Sequence, residues 1–367
     1  MDPLPLITVS GTPEECGASY GAAATDRIRA NVDAYARRFF DQAGLDEAAV
    51  RAAGARLSGV THECEPRIAQ MLDAMAEAAG VHPNQVYALN ARTELLATAR
   101  MGQPEGAEGG CTAAGVLGSH TADGHLLLGQ NWDWHPDQRD MMVLLRTTDE
   151  RGHSVLTLTE AGMLAKTGLN SAGVGVCVNM LGCERDGLAV RAGVPYHVLL
   201  RAALEADSLG AALRATIRPP RSASINLLLG QADGHGQELI DLELVPGDAG
   251  WLHPAGGVLT HANHLETPLP VRDTIKSTGG SSLFRAARAR RLLAEAAAER
   301  KVTADDLIAV FRDHLGRPMS ICRHVDERDA PLERAETLYS VLLDLDARRL
   351  AVAAGPPCGH DYTWLDL

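Results

Sequence analysis

One stretch constrains this chain more than any other: Gly109 to Asp133, GGCTAAGVLGSHTADGHLLLGQNWD. Two short apolar runs, Ala113 to Gly118 and His125 to Gly129, flank Thr121-Ala-Asp-Gly124. The glycine there can take positive φ, so the pattern reads as two strands joined by a turn. The second run ends in Gln130-Asn131-Trp132-Asp133. Antiparallel partners lie side by side, so the fold-back carries the Asp133 carboxylate towards the Cys111 thiol. Gly109 and Gly110 precede the cysteine. Without a Cβ, this backbone can bend and present its carbonyl. Taken alone, the residues leave two readings open: an activated nucleophile, or a buried strand cysteine after a glycine loop.

The rest of the chain supplies blocks of helices and blocks of strands. After a first strand, Leu6 to Val9, residues up to about 110 read as mainly helical. Thr12-Pro13-Glu14-Glu15 starts a helix, with a capping hydroxyl, a proline in the first turn and acids behind it. Ile68, Met71, Leu72 and Met75 share one helical face. A further helix is expected from Asn84 to Ala99. The polar segment Met101 to Gly110 suits an exposed cleavage site. Beyond Cys111, strands are expected at 141–147, 154–159, 174–180, 224–229, 238–244, 257–260, 337–345 and 350–353. Helix pairs fall at 197–216 and 283–314. Strands in hairpin-linked blocks argue for an α+β fold with antiparallel sheets.

Charge and cysteine usage exclude several function classes. With 367 residues, the chain is two domains or one large one. The formal net charge of −13 argues against nucleic-acid and anionic-membrane partners. No apolar run approaches the length needed to span a bilayer. The N-terminus lacks a basic segment followed by a hydrophobic one, so a cytoplasmic location is expected. The seven cysteines are scattered and contain no Cys-x-x-Cys pair, which argues against a disulfide framework or a zinc ribbon. Most of them, Cys322 included, read as small buried residues.

Gly110-Cys111-Thr112 followed by Gly129-Gln-Asn-Trp-Asp133 resembles the acyl-coenzyme A:6-aminopenicillanate acyltransferase family of N-terminal nucleophile cysteine hydrolases. The resemblance extends to Gly11-Thr12-Pro13, Gly17 to Gly21, Leu89-Asn-Ala-Arg-Thr-Glu94, Thr159-Glu160-Ala-Gly162, Asn170-Ser171-Ala-Gly173, Gly193-Val-Pro-Tyr196, His261-Ala-Asn-His264 and Ser320-Ile-Cys-Arg323. One departure is visible: Gly109 stands where the fungal acyltransferase has an acid. The family implies a four-layer αββα sandwich. It implies a helical leader, residues 1–110, and a core, residues 111–367, produced by self-cleavage between Gly110 and Cys111. The leader would stay bound as the partner of the core.

The resemblance further implies that Cys111 forms a thioester with a small N-acylated amine and passes the acyl group to water or to an amine, with water preferred. Free cysteine titrates near 8.5 and an α-amine near 7.7–8.0, so a freed Cys111 would carry nucleophile and base on one residue. Asp133 and Arg323 would complete the site, Arg323 pairing with Asp133 and lowering its pKa. Asn263 would offer its amide to the oxyanion. Asn131, Trp132 and Thr112 would support. No cofactor is expected, and no metal, since His261-x-x-His264 lacks the glutamate of a metalloprotease. Two other readings stay open: a non-catalytic relative that binds an acylated ligand, and a Cys–His peptidase that uses His261 or His264 without being cut.

Overall fold

The computed structural model describes residues 4–100, 110–187 and 193–367. The polar linker expected before the cysteine, residues 101–109, lies outside them. In chain order the elements begin with β1 (Leu6–Gly11), α1 (Pro13–Ala23), α2 (Thr25–Ala43), α3 (Glu47–Cys64), α4 (Pro66–Ala79), α5 (Pro83–Asn90) and α6 (Arg92–Arg100). There follow β2 (Cys111–Val116), β3 (Leu127–Trp134), β4 (Met142–Asp149), β5 (Ser154–Glu160), β6 (Thr167–Asn170), β7 (Val174–Met180), α7 (Tyr196–Leu204) and α8 (Leu209–Ile217). The chain closes with β8 (Ile225–Asp233), β9 (Gly236–Val245), β10 (Asp248–Leu252), β11 (Val258–His261), α9 (Ser282–Glu299), α10 (Ala304–Phe311), β12 (Glu336–Asp344), β13 (Arg349–Ala353) and β14 (Thr363–Asp366).

Local chemistry starts the first helix. Thr12 Oγ1 accepts from the Glu15 N–H at 3.2 Å, and Glu15 Oε2 accepts from the Thr12 N–H at 2.8 Å, with Pro13 in the first turn. The expected 84–99 helix is instead two helices, α5 and α6, broken at Ala91. The Asn90 amide donates to Val86 O in its own helix and to Gly162 O across the fold, at 2.9 and 2.8 Å. That long-range bond fixes where the first helix ends.

An eight-stranded sheet runs β1-β4-β5-β6-β7-β8-β9-β10, and a six-stranded sheet runs β11-β2-β3-β12-β13-β14. All pairings are antiparallel except β1 on β4. Strand alternation assigns the layers. Leu144, Leu156, Leu158, Cys177 and Leu228 of the large sheet pack with Ala113, Leu128, Val341 and Leu343 of the small one. Their neighbours face outward. Val155, Val176, Ile225 and Leu227 pack under α7 and α8, and Ala114, Val116, Leu127 and Leu342 pack under α9 and α10. The result is α-β-β-α, as expected. The first 100 residues are part of this body: β1 extends the large sheet, and Val143, Leu145 and Leu199 share a core with Ile28, Leu72 and Leu89. Among the described residues no helix is long and apolar enough to cross a membrane.

Candidate active site

The β2–β3 hairpin forms with Cys111 opposite Trp132 and Thr112 opposite Asn131. The ladder continues one step further, where the Asp133 N–H donates to Gly110 O at 2.8 Å. Cys111 is the first residue of β2, and its side chain belongs to the core between the two sheets. Gly129 is required by packing, because a Cβ there would lie 2.7 Å from the Phe311 ring of α10.

A network of polar residues surrounds Cys111. Its N–H donates to Asn263 Oδ1 at 2.9 Å, and its carbonyl accepts from Arg285 Nη1 at 2.6 Å. Arg285 also donates to Thr112 Oγ1 at 2.7 Å and to Asn263 Oδ1 at 2.8 Å. The Asp133 carboxylate accepts from Thr337 Oγ1 at 2.6 Å, and the same hydroxyl accepts from the Arg323 N–H at 3.0 Å. Asn131 donates to Phe311 O and Ile321 O, at 2.8 and 2.9 Å, and so moors the 320–323 loop. Asp133 Oδ2 is buried with no hydrogen-bond partner among the described residues.

Gly110 sits in the middle of these charges. A Cβ at that position would fall 2.7 Å from Asp133 Oδ2, 3.3 Å from Arg323 and 3.4 Å from Arg285. Gly110→Ala is therefore expected to push the strand end off Asp133. Any cleavage between residues 110 and 111 should slow by on the order of a hundredfold, since a misplacement of about 1 Å costs that much. Timed gels of fresh lysate check this, and an unchanged rate would mean that the crowding around Gly110 is irrelevant to the cut.

Burial dominates the site's acid–base behaviour. It pushes the Cys111 thiol up to about 11, and the Asp133 charge adds to this. It pushes Asp133 up to about 6, against the pull of Arg285 and Arg323. Arg323 acts to lower the Asp133 pKa, in the expected direction, but desolvation of the carboxylate outweighs both arginines. Asn263 reaches the cysteine as expected, but oriented the other way. Its oxygen faces the Cys111 N–H, and its NH2 donates to Met180 O at 2.9 Å. His261 is held by Glu243 at 2.9 Å and His264 by Ser282 at 2.9 Å. Among the hydrogen bonds of the described residues, neither imidazole is bonded to Cys111.

Reasoning from the residues assigned no work to Arg285, Lys166 or Glu160. Lys166 is buried beside the site, 2.7 Å from Glu160 Oε2, with its Nζ 3.8 Å from the centre of the Trp132 ring. Burial lowers it to about 8, against the attraction of Glu160. For Glu160, burial acts to raise the pKa, but Arg92 and Lys166 outweigh it and hold the carboxylate well below its ordinary value. Arg92 reaches Glu160 at 3.2 Å, and Glu94 Oε1 accepts from the Tyr196 N–H at 2.6 Å. Asn90, Arg92 and Glu94 of α5 and α6 thus meet the Thr159–Gly162 and Gly193–Tyr196 motifs directly. A cavity of about 20 Å³ remains at the cysteine, lined by Arg92, Cys111, Trp132, Asp133, Lys166 and Tyr196 among others. It has room for about one water. A larger groove of about 410 Å³, along Leu265 to Ser277, touches none of these residues.

A sequence profile of the acyl-coenzyme A:6-aminopenicillanic acid acyl-transferase family matches residues 119–358. The chain belongs to that family. It is 28% identical to the acyl-coenzyme A:6-aminopenicillanic-acid-acyltransferase 40 kDa form of Emericella nidulans, over 98% of this chain and 95% of that one. Among solved structures, penicillin V acylase from Agrobacterium tumefaciens aligns at a TM-score of 0.45 with 14% identity, covering 70% of this chain and 86% of that one. A variant of the conjugated bile acid hydrolase from Clostridium perfringens aligns at 0.44 with 13% identity, covering 70% and 97%. As a family member the chain is an enzyme of the acyltransferase and amidohydrolase type. The acyltransferase-family motifs read from the sequence, Cys111 to Asp133, Asn263 and Arg323, are the ones the fold gathers at one end of the inter-sheet core.

Proposed function

We propose that this chain cuts itself between Gly110 and Cys111 and then works as an N-terminal-cysteine amidohydrolase or acyltransferase on a small N-acylated amine. The observation that carries the reading is the setting of the Gly110 carbonyl. Its oxygen already accepts from the Asp133 N–H at 2.8 Å, the next residue's N–H is held by Asn263, and the Asp133 carboxylate lies against Gly110. A donor aimed at the oxygen of the bond to be broken is what a developing oxyanion needs.

In the first cut, Sγ of Cys111 adds to the Gly110 carbonyl carbon while Asp133 accepts the thiol proton. The C–N bond breaks, the proton passes to the departing amine, and a thioester joins Gly110 to the sulfur. Water then releases the Gly110 carboxylate and restores the thiol. In later turnovers the freed α-amine replaces Asp133 as base, with Asn263 Oδ1 as its hydrogen-bond acceptor. A substrate amide gives an acyl thioester and a free amine, and water takes the acyl group in preference to a second amine. The leader, residues 1–110, stays as the bound partner through β1 and the Asn90, Arg92 and Glu94 contacts.

Intact mass of the freshly purified, denatured protein tests this. The expected result is two fragments meeting between Gly110 and Cys111. After a pulse of N-acyl amine, the 111–367 fragment should gain the acyl mass at low pH, where thioesters persist. A single active chain with no fragment would overturn the proposal.

A further inference from the structure

We infer that a zinc ion is held by His314, Cys322, His324 and Cys358, a site separate from the nucleophile. The sequence pattern points to no metal, and by itself Cys322 reads as packing. The fold places the four side chains together, with one ligand atom from each lying within 4.8 Å of all the others. Two thiols and two imidazoles are a common structural zinc set.

The spacings match a tetrahedron. With Zn–N near 2.0–2.1 Å and Zn–S near 2.3 Å, tetrahedral edges come to about 3.3 Å between nitrogens and about 3.6 Å between nitrogen and sulfur. The two Nε2 atoms of His314 and His324 are 3.1 Å apart. Nε2 of His324 is 3.6 Å from Cys322 Sγ and 3.6 Å from Cys358 Sγ. A hydrogen-bonded pair would explain one such contact; three on one imidazole nitrogen, with all four ligand atoms within 4.8 Å of one another, call for a shared centre. No carboxylate is among them, which disfavours magnesium or calcium.

Backbone contacts shape the cluster. The Cys322 N–H donates to Asp313 O at 3.0 Å and the His324 N–H to Pro318 O at 2.9 Å, folding the loop after α10 back on itself. Arg312 Nε donates to Pro357 O at 2.8 Å, which brings the segment after β13 alongside. Cys322 is buried, while His314 and Cys358 are exposed, so an ion can enter from solvent. Arg323 lies between two of the ligands. The ion would pin the loop that delivers Arg323 to Thr337 and Asp133, and would tie the C-terminal segment to it.

The test uses the full chain. Protein purified without chelator should carry about one zinc per chain by elemental analysis. After chelator stripping, cobalt(II) should give the visible spectrum of a tetrahedral ion with a thiolate charge-transfer band. Cys358→Ser and His314→Ala change exposed positions and should each weaken zinc binding by more than the ~10–100-fold that an outer-shell partner is worth. Cys111→Ala should keep the zinc, which separates this result from the fate of the self-cleavage proposal. Protein without zinc whose stripped form gives no tetrahedral cobalt spectrum would overturn the inference. So would a Cys322–Cys358 disulfide in protein purified without oxidant. The wild-type titration decides the matter even if a variant fails to fold.

Discussion

Cys111→Ala is expected to yield a single chain of 38.9 kDa that never separates into fragments and turns over no acyl amide. The alanine keeps the strand, because the residue opens β2 and pairs with Trp132 through its backbone. It removes the one atom that can attack the Gly110 carbonyl. Loss of a nucleophile costs on the order of 10⁴–10⁶-fold in turnover. His261, on the neighbouring strand, is committed to Glu243. Intact mass beside the wild type, with an acyl-amide assay on the same samples, checks both halves. A variant that is still cut at this bond would show that another group makes the attack. A variant that is uncut yet fully active would sever processing from catalysis.

Arg285→Met is expected to be the most damaging change outside the cysteine itself. This guanidinium is buried on the inner face of α9 and donates to Cys111 O, Thr112 Oγ1 and Asn263 Oδ1. Methionine fills similar space but takes this donor from Cys111 O and Thr112 Oγ1, and leaves Asn263 Oδ1 with the Cys111 N–H. It also takes away the stronger of the two cations that oppose burial at Asp133, so that carboxyl should rise above about 6 and become a poorer proton acceptor at lower pH. Removing one member of a buried charge network typically costs about 3–5 kcal/mol. A urea midpoint lowered accordingly, with uncut precursor accumulating, is the expected result. Arg288→Met is the control. Its ion pair with Asp313, at 2.8 Å, is part-exposed and should be worth less than about 1 kcal/mol. Equal stability and normal processing in Arg285→Met would show that the arginine is incidental to the site.

Residues close in the chain were legible because their signals are local. The α1 capping box, the 68–75 face, the β2–β3 turn and the meeting of Cys111 with Asp133 all follow from short-range spacing. So does the α+β class, from strands and helices arriving in blocks. Family motifs added Asn263 and Arg323, which periodicity could not rank. Arg285 did leave a trace: it shares the face of Ala289 and Leu293 at four-residue spacing, an arginine where an apolar residue belongs. Lys166, one of three lysines and embedded in Met163-Leu-Ala, left another.

What the sequence determined by itself was therefore the nucleophile's neighbourhood and the kind of layers the chain can build. Alternation and turn chemistry act over a few residues and need no distant partner. Only the tertiary structure decided how charge is distributed in that neighbourhood. The pKa of Asp133 depends on how fully water is removed from it, and burial is a property of the packed sheets. The orientation of Asn263 depends on which group, Met180 O or the Cys111 N–H, each end of its amide meets. The Arg92–Glu160–Lys166 cluster joins α6 to the end of β5 and the loop behind it, a long-range meeting that no local rule connects. The same holds for the His314, Cys322, His324 and Cys358 cluster. Its last ligand comes from beyond two further strands, and only the closing of the six-stranded sheet brings it to the others.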